Sequence, residues 1–404
     1  MDSTLRASAR AVWNYGRSRV RRARPGPPEA VAERPTLAKL ELTYHCNLRC
    51  GFCYTDSPRR TLERTAELDD AAWRRIVGES IDLGIRRAII TGGEALLRRE
   101  VALEAIERID TAGVDGIVLY TNGWFIDDAV ADSLARASTL QVHVSIDGPT
   151  PELHDTARGV PGSWRRAVAA VDRMLARGTD TRVFHVITPE NQHALPEFLD
   201  EMWSLGVKDL MLTPVLRIGA AARSGRWTVN RLRMYRHVRS FVQRTNGETR
   251  VSLRNGISDR IATPSRAPTM FMIRPNGAFL ADSGHPFSFG DAGTQPLAEC
   301  WEALRQGWTD ERVRRWIENV PGNRRIPRME LVPYRDDELA IAGRNEIVRG
   351  RPAASIERAL EVLAKKSPPP PADGVGDLDA ARDYVRELAT ARAPAAPCAS
   401  QSVD

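Results

Sequence analysis

Three of the chain's five cysteines fall within eight residues, in the stretch ELTYHCNLRCGFCYTD. Cys46, Cys50 and Cys53 are spaced Cys-x3-Cys-x2-Cys, where a strand-like run ends and a loop begins. Thiolates bind soft metals, and short spacings let one loop wrap a single site. Zinc asks for a fourth ligand, and His45 stands beside Cys46, so a Cys3His zinc site is one reading. An iron–sulfur cluster, usually held by four cysteine thiolates, is a second. Three thiolates leave one iron without a protein ligand, and a catalytic metal site needs such an open position. Three buried cysteines that only pack are a third reading.

The elements that must hold this loop follow a regular rhythm. Strand-like runs at 37–46, 86–94, 115–123, 140–147, 181–188 and 207–216 alternate with helical patterns at 68–84, 100–113, 126–138, 163–178 and 193–205. Such alternation implies parallel strands joined by right-handed crossovers. A closed barrel of this kind needs eight units. Six predict an open α/β structure, a partial (β/α)6 TIM-like barrel. After residue 220 the rhythm changes to a basic helix near 229–246 and a hairpin at 269–283 that turns on PNG. Helical stretches at 296–307, 309–319 and 353–366 follow, then the Pro-rich KSPPPPADG and a short helix at 377–392. The expected division is a basic lead-in (1–36), the partial barrel (37–220), a small α+β extension (221–365) and a linker, short helix and tail (366–404).

Further short motifs stand where these strands end: TGGEAL (91–96), YTNG (120–123), VSIDG (144–148) and VITPEN (186–191). Parallel barrels build their sites at such carboxyl ends. Together with CNLRCGFCY they resemble, in order over residues 37–215, the signature of the radical S-adenosylmethionine (radical SAM) enzymes. The resemblance implies a 4Fe–4S cluster on the three cysteines and S-adenosylmethionine on its open iron. Reductive cleavage would then release a 5′-deoxyadenosyl radical that takes a hydrogen atom from substrate. It also implies cofactor contacts. Gly92, Gly93 and Glu94 would meet the methionine ammonium, although many relatives read GGEP where this chain has Ala95. Asn122 lies in the third block. Ser145 and Asp147 would meet the ribose or carboxylate, Asn191 the ribose, and the backbone of Phe52 the adenine. Blander readings stand beside these: Asn122 and Gly123 as a turn, Asp147 as a cap, and Tyr44 and His45 as shields of the loop. His143, His154 and His185 lack metal spacing and read as core or surface histidines.

The stretch 272–308 resembles the start of a SPASM or twitch extension, but Ala281 and Asp282 stand where its first auxiliary-cluster cysteine is expected. Cys300 and Cys398 are the only other cysteines, too few for a four-thiolate site. Without that electron outlet a redox-neutral step such as epimerisation competes with rearrangement, elimination or addition, and with oxidation through the single cluster. Cys300 or Cys398 would be the thiol donor of a hydrogen atom. The alternative for Cys300, beside Trp301, is an ordinary buried cysteine.

The net charge of +6 comes from arginines spread along the chain. It suits an acidic electron donor of the flavodoxin or ferredoxin type, an anionic substrate, nucleic acid, or simply a solvated basic surface. Arg217, Arg223 and Arg226, after the sixth strand, would meet a phosphate or carboxylate, or form a solvated loop. No DNA partner is expected. The sparse cysteines suit a reducing cytoplasm, no apolar run approaches the ~20 residues that span a bilayer, and the N-terminus lacks a secretory h-region. The 36 residues before the first strand read as too short for a peptide-recognition domain. The expected substrate is therefore a small molecule or natural product, such as a sugar, nucleoside or modified amino acid. The alternatives are a peptide maturase, a non-catalytic iron–sulfur sensor or partner protein, and a zinc-stabilised nucleic-acid binder.

Overall fold

A computed structural model describes residues 30–57, 67–215, 219–223, 229–253, 267–282, 287–310, 313 and 332–333. The lead-in before residue 30, Arg217, Arg226, the side chain of Arg223, nearly all of the expected helix at 309–319, everything expected after 333, and Cys398 lie outside the described residues.

The repeating unit is β1 (Leu37–Glu41), α1 (Asp70–Asp82), β2 (Arg87–Thr91), α2 (Arg99–Thr111), β3 (Gly116–Thr121), α3 (Asp128–Leu134) and β4 (Leu140–Ser145). It continues through α4 (Pro151–Arg158), α5 (Ser163–Ala176), β5 (Asp180–Ile187), α6 (Leu195–Ser204), β6 (Asp209–Pro214), α7 (Arg231–Arg244) and β7 (Arg250–Leu253). Local chemistry sets several boundaries. Asp69 caps α1 by accepting from the Ala72 N–H at 2.7 Å. Asp127 caps α3 through Val130 at 2.8 Å. The short α4 begins with Pro151 and ends at Gly159 with φ +72°, the pairing of an N-terminal proline with a left-handed glycine stop.

Strands β1 to β7 lie side by side in chain order, each parallel to the last. Right-handed crossovers in one direction put every helix on the same face. On that face Leu40, Ile90, Leu119, Val142, Val183 and Leu210 have no exposed surface. Each such aliphatic side chain contributes about 1.5–3 kcal/mol of burial. The opposite face is left to line a central chamber. The α/β partial barrel expected from the alternation is what forms.

The sheet runs further than six strands. β7 continues it beyond β6, and β8 (Met270–Ile273) pairs in parallel with the other edge of β1. β9 (Ala278–Leu280) returns antiparallel through the expected PNG turn, where Gly277 has φ +89°. β10 (Phe287–Asp291) and β11 (Val332–Pro333) complete the order β11-β10-β9-β8-β1-β2-β3-β4-β5-β6-β7. The helix α8 (Leu297–Thr309) packs on β10 and α1. Its first turn is fixed to α1 by Leu297 N–H donating to Glu79 at 2.7 Å. Among the described residues no helix is long and apolar enough to cross a membrane.

Candidate active site at the carboxyl end of the sheet

The three-cysteine loop leaves the end of β1 and is clasped by three other segments. The first follows β2. There the parallel pairing of β1 and β2 carries on into the loops, with Gly93 N–H donating to Thr43 O at 2.7 Å and Glu94 N–H to His45 O at 2.8 Å. A Cβ on Gly93 would stand 2.2 Å from His45 O, and one on Gly92 would stand 2.8 Å from Thr43 O. The glycines of TGGEAL are thus required by close backbone approach. The second clasp is the end of α4, where Arg158 O accepts from Arg49 N–H at 2.9 Å. The third follows β6: Ala220 N–H donates to Cys53 O at 2.8 Å, and Gly219, at φ +55°, lies against the Tyr54 carbonyl.

All three thiols are free and half-buried. Cys46 Sγ accepts from Leu48 N–H at 3.4 Å and faces Asn122 Nδ2 at 4.0 Å. Cys50 Sγ accepts from Arg158 Nη1 at 3.8 Å. Cys53 Sγ lies 3.1 Å from Thr55 Oγ1. Burial, with the nearby Glu94 carboxylate, pushes the Cys46 thiol up to about 12. Burial also lifts Cys50, to about 11, against the pull of Arg158. Thiols in such surroundings stay protonated until a metal takes the proton's place. N–H donors aimed at sulfur suit a metal-bound thiolate. Among the described residues no three His, Cys, Asp or Glu side chains converge on the position of a single metal ion. Three thiols with N–H donors on Cys46 and Cys50 suit a cluster whose irons each take one thiolate.

The other motif residues gather around the loop with their polar atoms largely engaged. The buried Glu94 carboxylate accepts from Leu96 N–H at 3.1 Å, Thr121 Oγ1 at 2.9 Å and Asn122 N–H at 2.7 Å. Burial still raises its pKa above the ordinary carboxylate value. Asn122 donates to Asn47 at 2.8 Å and accepts from Trp124 N–H at 2.9 Å, which ties the end of β3 to the cysteine loop. Ser145 ends β4 half-buried, in register with Phe184 on the chamber side. Asp147 and Asn191 are buried, with their polar atoms engaged by the neighbouring loops. Asp147 has no exposed surface; its carboxylate is ion-paired with Arg158 and accepts from Val186 N–H at 2.7 Å. Asn191 accepts from Thr188 N–H at 2.7 Å and donates to the carbonyls of Asp147, at 3.0 Å, and Val186, at 2.9 Å. Both side chains brace the loops after β4 and β5. The Phe52 ring lies under the Arg158 guanidinium, 5.5 Å from centroid to carbon.

Cys300 is fully buried on α8, and a Cβ on Gly290 of β10 would stand 2.5 Å from its sulfur, a close packing contact between helix and strand. His154 and His185 are core groups. His154 Nδ1 accepts from Asp147 N–H at 3.0 Å, and His185 stacks on Phe198 at 4.0 Å.

Several residues escaped the sequence reading. Lys39 and Glu41 alternate with Ala38 and Leu40 along β1 and therefore face the chamber. Glu41 Oε1 accepts from Tyr54 Oη at 2.7 Å and lies 3.1 Å from Lys39 Nζ, while Arg274, in the β8–β9 turn, stands 3.4 Å from Oε2. Burial opposes ionisation of Glu41, but Arg274 and Lys39 hold its carboxyl below the ordinary value. Burial and that carboxylate push the Tyr54 phenol well up. Further along the same face of the sheet Tyr120 meets His143 edge-on at 4.6 Å and Phe184 at 5.6 Å. The polar alternation of LAKLE was a usable signal for Lys39 and Glu41. Pro151 and Gly159 were the signal for α4, and hence for Arg158.

The three-thiol loop is thus clasped at the carboxyl end of an open parallel barrel. Residues 40–202 match the model of the Radical SAM superfamily. It is 29% identical over 189 residues to a probable GTP 3′,8-cyclase of Methanopyrus kandleri, covering 46% of this chain and 59% of that protein. It is 34% identical over 167 residues to the mycofactocin maturase MftC of Mycobacterium ulcerans, covering 41% of this chain and 43% of that one. The chain thus spans about half the length of these curated relatives. Among solved structures, Streptococcus suis SuiB bound to S-adenosylmethionine superposes with a TM-score of 0.57 at 16% identity, covering 76% of this chain and 72% of that one. SuiB bound to its precursor peptide SuiA gives a TM-score of 0.57 at 15% identity, over 78% and 70%. At these identities the likeness is one of fold.

Proposed function

We propose that the protein is a radical SAM enzyme whose Cys46, Cys50 and Cys53 hold a 4Fe–4S cluster and whose carboxyl-end loops receive S-adenosylmethionine. The observation that carries this reading is the clasped cysteine loop with N–H donors on Cys46 and Cys50, inside the matched radical SAM span. When bound, the two groups supply one-electron cleavage of the sulfonium and a 5′-deoxyadenosyl radical for hydrogen abstraction. The chain's part is to position and insulate. Gly93 and Gly219 allow two loops to close on the cysteine loop. Glu94 fixes the ends of β2 and β3 together, and Ser145 is the motif hydroxyl left on the chamber side. The reductant would be a flavodoxin- or ferredoxin-type protein.

The chamber would hold a small-molecule or natural-product substrate against the polar wall of Lys39, Glu41 and Tyr54 and the aromatic wall of Tyr120 and Phe184. A second reading, peptide maturation, is supported by the match to a mycofactocin maturase over 167 residues.

Anaerobic reconstitution with iron and sulfide tests the proposal. The loaded protein, given dithionite and S-adenosylmethionine, is expected to form 5′-deoxyadenosine, and alanine at any of the three cysteines to abolish it. An iron-loaded wild type that forms none refutes the enzyme reading and leaves the sensor.

A further inference from the structure

Arg158 stands between a proposed cluster ligand and a buried carboxylate. One arm of its guanidinium, Nη1, donates to Cys50 Sγ at 3.8 Å. The other arm, Nη2, is ion-paired with Asp147. The plane lies over Phe52, and the residue's own carbonyl accepts from Arg49 N–H at 2.9 Å. The Arg158 side chain is 9% exposed and that of Asp147 0%, so solvent screens neither charge well. Only a guanidinium offers two such donors in a fixed fork.

We propose that Arg158 is a positioning residue that raises the reduction potential of the cluster, acting through the Cys50 sulfur, with Asp147 as the opposing charge that anchors it and limits its effect. The inference rests on the cluster reading above. An electron added to the cluster brings negative charge to its thiolates. A cation hydrogen-bonded to one of those sulfurs favours the reduced form, and hydrogen bonds to sulfur and net charge are established determinants of such potentials. The carboxylate behind the guanidinium works the other way. Its removal frees the cation's field, whereas removal of the cation leaves a buried anion near the cluster. The two charges therefore have opposite signs of effect, which a purely structural clamp would not produce.

The test is an EPR-monitored redox titration of the full chain, anaerobically reconstituted, without S-adenosylmethionine, with iron content measured on each sample. Arg158→Gln is expected to lower the ratio of reduced to oxidised cluster at a fixed potential about tenfold, a shift of about 59 mV for one electron. Asp147→Asn keeps an oxygen for Val186 N–H and is expected to shift the ratio upward. Arg158→Lys keeps the charge and is expected to stay closer to wild type than the glutamine variant. Shifts of the same sign, or none, in variants with wild-type iron content overturn the proposal. If Arg158→Gln does not load iron, Asp147→Asn and Arg158→Lys decide: an unchanged or lowered potential in the asparagine variant overturns it. A wild type that takes up no iron overturns instead the cluster reading on which the proposal rests.

Discussion

Gly93 leaves no room for even a methyl group, because a Cβ there would lie 2.2 Å from the His45 carbonyl oxygen. That oxygen belongs to the backbone just before Cys46, so it moves only if the cysteine loop moves. Gly93→Ala is expected to destabilise the protein by about 1–3 kcal/mol, the usual cost of overpacking, and to lower iron uptake, read by thermal melt and iron assay. Gly51, between Cys50 and Phe52, has nothing within 4 Å of its Cβ position. Gly51→Ala is the control, with both readouts near wild type. Similar loss in both variants would show that close approach is not what Gly93 serves. The three cysteines were legible from residue type and spacing alone, since a loop that wraps one site needs nothing distant. Arg158 was not legible in the same way. Its sulfur partner is 108 positions away, and no local pattern marks an arginine as a hydrogen-bond donor to a thiol.

At the scale of elements, α4 and α5 are joined by one carboxylate. Asp155, inside α4, accepts from Gly162 N–H at 2.6 Å, Ser163 Oγ at 2.8 Å and Trp164 N–H at 2.8 Å, and so caps α5 from the preceding helix. Burial works against its ionisation, but these hydrogen bonds hold it below the usual carboxylate range. A depressed carboxyl contributes stability that is present above its unfolded pKa of about 3.9 and is lost as pH falls through the folded value. Asp155→Ala is expected to cost roughly 1–2 kcal/mol near neutral pH and to flatten the acid limb of stability below about pH 4, followed by chemical denaturation across pH. An unaltered acid limb would refute the capping role. The long amphipathic helices were legible, because an apolar stripe repeated over three turns is a strong signal. The eight-residue α4 was not. It is too short for periodicity to show, and its proline start and glycine stop were its only marks. Missing α4 also hid the element that carries His154, Asp155 and Arg158 to the site.

Across the whole molecule, buried neutral histidines set a second pH dependence. Burial, assisted by the Arg158 charge, pulls His154 down to about 4 from 6.5, and burial lowers His185 as well. Between those two values the unfolded chain binds a proton at His154 that the folded protein refuses, so stability falls as pH drops from about 6.5 toward 4, by roughly 3 kcal/mol for His154 alone. His154→Asn, which retains an acceptor for Asp147 N–H, is expected to shallow that slope in urea titrations at stepped pH. An unchanged slope would mean the histidine already carries its proton in the folded state. The continuous sheet makes a further prediction. β1 is an interior strand, flanked by β2 and β8. A chain cut after residue 253 would bare the β8-facing edge of β1 and is expected to aggregate, as judged by size-exclusion chromatography. Recovery of a soluble, cooperatively melting fragment would show that the strands after 267 are dispensable. The amino-acid sequence by itself determined the alternation of strands and helices, the open parallel barrel and the cysteine loop at its mouth. Those depend on periodicity, residue type and short spacing, which are properties of neighbours in the chain. Only the tertiary structure decided that β8 completes the flank of β1, that Asp147, Asn191 and Cys300 are buried, and that Arg158 reaches Cys50. Each of those pairs or buries groups far apart in sequence, and such choices are settled by packing and by the cost of burying unpartnered charge, after the local elements have formed.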